Sequence, residues 1–241
     1  MIEIKNLDVI FGPQPERALP LLDANQGREK IRQDTGLVVG VNNANLTINK
    51  GEICVLMGLS GSGKSSLLRC INGLNHTTRG SINIDHDGKV IDFASADMDT
   101  KREIRMKRIS MVFQKFALMP WLTVAQNVAM PLELQGVDKK EIKQRVDVQL
   151  DLVGLKKWAK LKPSELSGGM QQRVGLARAL VTESDILLMD EPFSALDPLI
   201  RTQLQDELIQ LQEKLQKTII FVSHDLDEAL KLGTNIAIMK D

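Results

Sequence analysis

Leu166-Ser167-Gly168-Gly169-Met170-Gln171-Gln172 is a glycine-glycine turn that opens onto a helix. Shortly after it, Ile186-Leu187-Leu188-Met189-Asp190-Glu191 reads as a buried strand ending in two acids. Far upstream, Gly58-Leu59-Ser60-Gly61-Ser62-Gly63-Lys64-Ser65 fits G-x-x-x-x-G-K-[ST] between a strand-like Ile53–Met57 and a helical Lys64–Ile71, the context that gives this pattern meaning. Its glycines let backbone N–H groups wrap phosphate oxygens, and the helix N-terminus adds positive potential. Taken singly, each stretch has a plainer reading: a glycine-rich turn, a Ser-capped helix start with glycines for tight packing, and a solvated acidic turn. The combination is far more specific than any one of them.

The rest of the chain alternates strands with helices. Residues 1–9 read as a short strand, and prolines at 13, 15 and 20 then break the pattern. Gly12 to about Gly40 reads as an insertion, with a short helix over Arg28–Asp34. Strands are expected at Val41–Asn49 and Ile53–Met57, and a hairpin joins Ser81–Ile84 to Lys89–Phe93 through His86-Asp87-Gly88. The middle third is helical. Thr100-x-x-Glu103, Thr123-x-x-Gln126, Asp138-x-x-Glu141 and Asp225-x-x-Glu228 match capping boxes. These predict helices near 100–107, 123–134 and 139–153, with a strand at Ile109–Phe113. From Ser164 helix and strand alternate to the end. The class is α/β with a parallel or mixed sheet and a separate helical lobe. One domain is expected over 1–241: an insertion at 12–40, an α/β core with a β subdomain mainly in 1–99 and 180–241, and the lobe mainly in 115–179. The chain stops directly after a strand-like Asn235–Met239, which reads as a truncation.

Lys+Arg and Asp+Glu both number 31, so the formal net charge is zero. That argues against nucleic-acid binding through a broad basic face. No apolar run approaches the ~18–20 residues of a membrane helix, and the start has no apolar signal core. A cytoplasmic protein that meets a membrane only through a partner is expected. Cys54 and Cys70 make no metal spacing and read as buried thiols in a reducing compartment.

In a phosphate loop, Lys64 bridges the β- and γ-phosphates and Ser65 binds Mg²⁺; Asp190 holds Mg²⁺, through water, as the strand-end aspartate does in other such enzymes. Glu191, one residue on, could polarise the attacking water, a general-base role typically worth ~10²–10⁴-fold in rate. With its three motifs together, the chain resembles the ATP-binding subunit of an ABC transporter, and the resemblance covers nearly all of it. The resemblance implies a phosphate-loop NTPase core with an antiparallel β subdomain and a helical lobe carrying the signature Leu166–Gln172. It implies ATP and Mg²⁺ as cofactors, and nucleotide contacts from Gly58, Ser60, Gly61, Ser62, Gly63, Lys64, Ser65 and Ser66. Ser167, Gly168 and Gly169 would act on the ATP of a second subunit, which makes an isologous dimer with two shared sites. Gln114 matches the family's Q-loop glutamine, a ligand of Mg²⁺ or of the attacking water. His224 matches the switch histidine at the γ-phosphate. Ser194-Ala195-Leu196-Asp197 matches the D-loop at the dimer interface, although Asp197 is also a good helix cap. Phe11, before Gly12, matches the aromatic residue that stacks on adenine, in a chain with no tyrosine. A core role suits it equally.

The segment Phe116-Ala117-Leu118-Met119-Pro120-Trp121 is apolar for a loop. It reads either as lobe core or, by the resemblance, as the surface that receives integral-membrane permease subunits. The insertion, Met57–Lys64 and Val112–Pro120 together look like the ATPases of bacterial importers for glycine betaine, proline and choline. That implies a motor on the inner face of the cell membrane, linked indirectly to a solute-binding protein and free of nucleic acid. A soluble ABC ATPase of DNA repair or translation is the rival. It usually shows tandem cassettes, coiled-coil insertions or strong basic segments, and none is present. A non-hydrolysing subunit would have lost a catalytic position, but Lys64, Gln114, Asp190, Glu191 and His224 all stand.

Overall fold

The alternation at the start of the chain does form a strand, which runs on to Phe11. The computed structural model describes every residue but Asp87, Lys115, Ala195 and Asp241, and not the side chain of Leu215. The expected turn residue Asp87 and Ala195 of the expected D-loop therefore lie outside the described residues. In chain order the elements are β1 (Ile2–Phe11), α1 (Leu19–Asp23), α2 (Arg28–Thr35), β2 (Val38–Ile48), β3 (Ile53–Gly58), α3 (Lys64–Ile71), β4 (Arg79–His86), β5 (Lys89–Asp92), α4 (Met98–Lys107), β6 (Ile109–Val112), α5 (Val124–Leu134), α6 (Lys139–Leu152), α7 (Gly168–Leu180), β7 (Ile186–Asp190), α8 (Pro198–Leu215), β8 (Thr218–Val222), α9 (Leu226–Leu232) and β9 (Asn235–Met239). They divide between two compact units, residues 1–102 with 222–241, and residues 103–221.

In the first unit, four antiparallel strands lie in the order β2-β1-β4-β5. A parallel pair, β3 and β9, runs in register from Cys54 opposite Asn235 to Gly58 opposite Met239. Cys54, Val55 and Leu56 are buried, as an unbroken apolar run in a parallel pairing should be. Burial pushes the Cys54 thiol up to about 11 and that of Cys70 to about 12, so neither is a ready nucleophile at neutral pH.

Residues 12–40, expected as an insertion, hold more structure than expected. α2 covers the predicted segment, and a 3-10 turn at Pro15–Ala18 and α1 precede it. Pro15 and Pro20 stand in the first turns of those two helices, where a missing N–H costs nothing. They start helices rather than break them. Ala18, Leu22 and Ile31 pack with Ile10, Leu37 and Val39 into a small core, and full burial of a side chain such as Ile31 is worth roughly 1.5–3 kcal/mol. Arg79 donates to both carboxylate oxygens of Asp23 and, through Nε, to the buried Asp8 at 2.7 Å. The two carboxylates, Asp23 foremost, raise the Arg79 pKa further above its ordinary value. β2 begins at Val38, three residues earlier than the apolar pattern suggested.

In the second unit β6 pairs in parallel with β7, and β8 lies on the other side of β7. Every residue of β7 and β8 is buried. Helices α5, α6 and α7 enclose Val128, Leu132, Val146, Leu150, Val174 and Ala177.

The Thr123–Gln126 capping box forms as read. Asp138 caps α6 through the Lys140 N–H, but the expected box with Glu141 does not form, and that carboxylate pairs with Arg145 instead. Asp197 caps α8 through the N–H of Ile200. Two further expectations change. Asp97, not Thr100, caps α4, accepting from both the N–H and the hydroxyl of Thr100, so the helix starts earlier than predicted. Glu228 does not close a box with Asp225; it is buried and accepts from the Ser223 hydroxyl.

Loop 116–123 carries no regular structure, yet two buried side chains fasten it. The Arg178 guanidinium donates to the carbonyls of Ala117 (2.6 Å) and Phe116 (2.9 Å). Asn127 receives the Met119 N–H and donates to the carbonyls of Met119, Leu122 and Thr123. Phe116 and Ala117 have φ of 54° and 48°, which costs non-glycine residues energy and persists only where neighbours enforce it. Arg178→Met should therefore cost about 2–3 kcal/mol, the scale of hydrogen bonds to a charged group, in urea unfolding. A loss below about 0.5 kcal/mol, the scale of an ordinary surface change, would mean that the loop does not depend on Arg178.

Candidate functional site

In the first unit the loop after β3 is shaped by contacts that only glycine permits. Gly63 caps α3 with φ of 100°, and a Cβ on it would stand 2.0 Å from the Gly40 carbonyl oxygen. A Cβ on Gly58 would stand 2.4 Å from the Met239 carbonyl oxygen. The Lys64 ammonium, on a buried residue, donates at 2.9 Å to the carbonyls of Gly58 and Leu59. The fully buried Ser62 hydroxyl makes no hydrogen bond among the described residues. Ser60 and Gly61 are exposed at the tip, while Ser65 and Ser66 are half-buried in the first turn of α3. A backbone cradle, a lysine in its mouth and a buried hydroxyl without a partner form a donor-rich concavity suited to an anion.

Two more predicted residues belong to this unit. The Phe11 ring lies against Gly40, where a Cβ would come within 2.5 Å of the ring. Gly40 thus stands between Phe11 and Gly63, and Phe11 is 40% exposed. At that exposure the ring is not enclosed in the core. The Ser223 N–H donates to the Leu56 carbonyl, which sets the exposed His224 beside the end of β3.

The second unit holds the acids and the glycine-glycine turn. Asp190, 1% exposed, ends β7. Glu191 follows with φ of 46°, a left-handed backbone that is rare outside glycine and asparagine. Its carboxylate accepts from the Gln114 amide at 3.0 Å, so the structure joins two residues 77 positions apart that the sequence named separately. Ser167 caps α7, accepting from the Met170 N–H. Gly168 and Gly169 form the first turn, whose N–H groups have no partner within the helix.

Of the donors named for a divalent cation, the first unit holds the Ser65 hydroxyl and the second the Asp190 carboxylate and the Gln114 amide oxygen. Each is an oxygen, the donor type that Mg²⁺ takes. Among the described residues no cluster of three or more acids, histidines or cysteines could hold a metal alone, and Mg²⁺ usually takes one or two protein carboxylates together with substrate phosphates.

Phe116–Trp121 divides between the two readings left open for it. Leu118 packs on the helical core, whereas Trp121 is 68% exposed. Ala117 and Met119 line a groove of about 460 Å³ with Met106, Met111, Met130, Phe113 and Leu134. Four methionines in one apolar groove make an adaptable binding surface.

Sequence reasoning missed Gly40, Arg28, Asn127 and Arg178. Gly40 carries a faint signal, a glycine inside a strand, which often marks close backbone approach. The other three act on main-chain carbonyls, Arg28 and Arg178 on ones far away in sequence and Asn127 on ones in the loop just before its own helix.

A phosphate cradle, a strand-end acid pair and a Ser-capped glycine-glycine helix in one chain define a phosphate-loop nucleotide-binding cassette. Residues 41–194 match the family model described as ABC transporter, and the chain belongs to that family. It is 53% identical, over all of its own length, to the glycine betaine/proline betaine transport system ATP-binding protein ProV of Escherichia coli. It is 52% identical to the glycine betaine transport ATP-binding protein OpuAA of Bacillus subtilis. The chain spans 59% and 56% of those two relatives. It is also similar to the dimeric structure of MJ0796, a bacterial ABC transporter cassette, with a TM-score of 0.82 at 33% identity, covering 100% of this chain and 94% of that one.

Gly168 and Gly169 serve different ends. A Cβ on Gly169 would lie 2.7 Å from Ile200 Cγ2, whereas one on Gly168 meets nothing closer than 3.9 Å. Gly169→Ala should cost about 1–3 kcal/mol, the price of overpacking. Gly168→Ala should change stability by less than about 1 kcal/mol. Equal losses in paired chemical melts would remove the packing reason for Gly169.

Proposed function

We propose that this chain is the ATP-hydrolysing motor subunit of a membrane importer for glycine betaine, choline, proline or related osmolytes. The observation that carries the reading is that one chain builds two separate amide-lined helix starts, at Gly63–Ser65 and at Ser167–Gly169. One takes the phosphates of its own ATP and the other those of a second copy. Lys64 and the loop amides neutralise the β- and γ-phosphates, and Phe11 stacks on the adenine. Ser65, Asp190 and Gln114 would hold Mg²⁺, which when bound would neutralise charge on the phosphates. Glu191 orients and polarises the attacking water, His224 contacts the γ-phosphate, and Gln114 restrains Glu191. Catalysis is then mostly positioning and electrostatics.

The solute class rests on relatives named for glycine betaine, proline betaine and trimethylamine N-oxide transport, compounds that share a compact methylated amine. No residue of an ATPase subunit need touch that solute. The groove beside Phe116–Trp121 receives a helix of the permease, and the chain works on the inner face of the membrane. Among the described residues no helix is long and apolar enough to cross it.

Two experiments test this reading. Glu191→Gln should bind ATP but not turn it over, and light scattering should find it as a monomer that becomes a dimer when ATP is added. Turnover near that of the unaltered chain would remove Glu191 from its role, and a monomer at saturating ATP would count against the shared sites. Trp121→Asp, at an exposed position, should leave ATP affinity unchanged and reduce recovery of the permease subunits in a pull-down by about tenfold, the loss of a moderate interface anchor. Unchanged assembly would place the permease elsewhere.

A further inference from the structure

The insertion reaches back to the phosphate cradle. Arg28, the first residue of α2, donates through one guanidinium nitrogen to the Gly61 carbonyl at 3.1 Å and through the other to the Ser62 carbonyl at 3.4 Å. Both carbonyls belong to the phosphate loop. We propose that Arg28 is a positioning residue: it clips two peptide planes of the loop and presets the amide cradle for a nucleotide triphosphate.

The argument starts from the peptide bond. A trans peptide is planar, so a carbonyl and the following N–H point in opposite directions. Holding the Ser62 carbonyl outward turns the Gly63 N–H away from Arg28, toward the interior of the loop. Holding the Gly61 carbonyl outward fixes the Ser62 N–H, which donates to the Leu59 carbonyl at 3.2 Å and closes the turn. The loop needs such a clamp. Gly61 and Gly63 have φ of 87° and 100°, and glycine visits many other conformations at little cost. Any peptide that flips presents a carbonyl, not an N–H, to a phosphate.

The clamp itself is held firmly. Ile31, in the same turn of α2 as Arg28, is fully buried in the insertion's small core. α1 is tied to the sheet by the paired hydrogen bonds of Arg79 to Asp23. Arginine suits the task because its planar fork meets two carbonyls at once, whereas a lysine ammonium is a point charge. Arg28 need not touch the nucleotide. It acts through the loop, so its loss should appear in affinity rather than in the chemical step.

The proposal rests on the reading of Gly58–Ser65 as the nucleotide site, and one experiment separates the two. The unaltered chain, Arg28→Ala and Arg28→Lys are titrated with a fluorescent ATP analogue and assayed for steady-state ATP hydrolysis, with circular-dichroism melts confirming that each is folded. Arg28→Ala should weaken nucleotide affinity and raise KM for ATP about tenfold, while kcat stays within about twofold; a charge-assisted hydrogen bond is worth about that much. Arg28→Lys should fall between the two. Unchanged affinity in Arg28→Ala overturns the proposal alone, as does a fall in kcat with KM unmoved or a lysine variant no better than alanine. If the folded, unaltered chain binds no nucleotide, the site reading fails and the proposal with it.

Discussion

Around the loop after β3 the structure depends on a close approach between two backbones. The Gly40 carbonyl oxygen lies 2.0 Å from where a Cβ on Gly63 would stand, and on its other side Gly40 leaves no room for a Cβ against the Phe11 ring. Removing two side chains lets β2 press directly on the phosphate loop. That contact places the end of β1, the start of β2 and the start of α3 in one narrow stack, and it sets where Phe11 and Lys64 stand. An alanine at Gly63 would have to push the backbone of a strand, and one at Gly40 the ring of Phe11. Since interiors pack without slack, the displacement would be felt along β1, which is paired on both edges.

The second unit meets an analogous need by a different means. Loop 116–123 is rich in apolar side chains, which gives it every reason to collapse inward. It is prevented because Arg178 and Asn127, both buried, take over its main-chain hydrogen bonds. Burial lowers the Arg178 pKa from the ordinary arginine value, the mark of a charge that gives up water for carbonyls. The cost leaves Trp121 exposed and Met119 in the groove, so the surface is preorganised rather than merely tolerated.

What could be read from the sequence follows from how far each signal travels. Capping at Thr123 and Asp197, the buried strands and the phosphate loop are encoded within a few residues, and all three appear as read. The start of α4 was misplaced because Thr100 and Asp97 are both good caps, and only the structure tells which hydroxyl or carboxylate accepts. The insertion was under-read because a proline that breaks a helix and one that begins it are the same letter. Arg28, Arg178 and Asn127 stayed invisible for a deeper reason. Each binds backbone carbonyls, which every residue carries, so the partner leaves no mark on the sequence. Glu191 could be named from its place beside Asp190 and Gln114 from resemblance, but their hydrogen bond could not.

That hydrogen bond bears on why Glu191 has so unusual a backbone. In an extended strand Asp190 and Glu191 would face opposite sides. The left-handed turn at Glu191 breaks the alternation at that step, at a cost of order 1–3 kcal/mol. Ser194 holds the turn from one side, donating both its N–H and its hydroxyl to the Glu191 carbonyl, and Gln114 holds the carboxylate from the other. Asp190 stays buried at the strand end while Glu191 stands partly open. Two neighbouring acids thereby gain different environments, one enclosed at the strand end and one partly open to solvent.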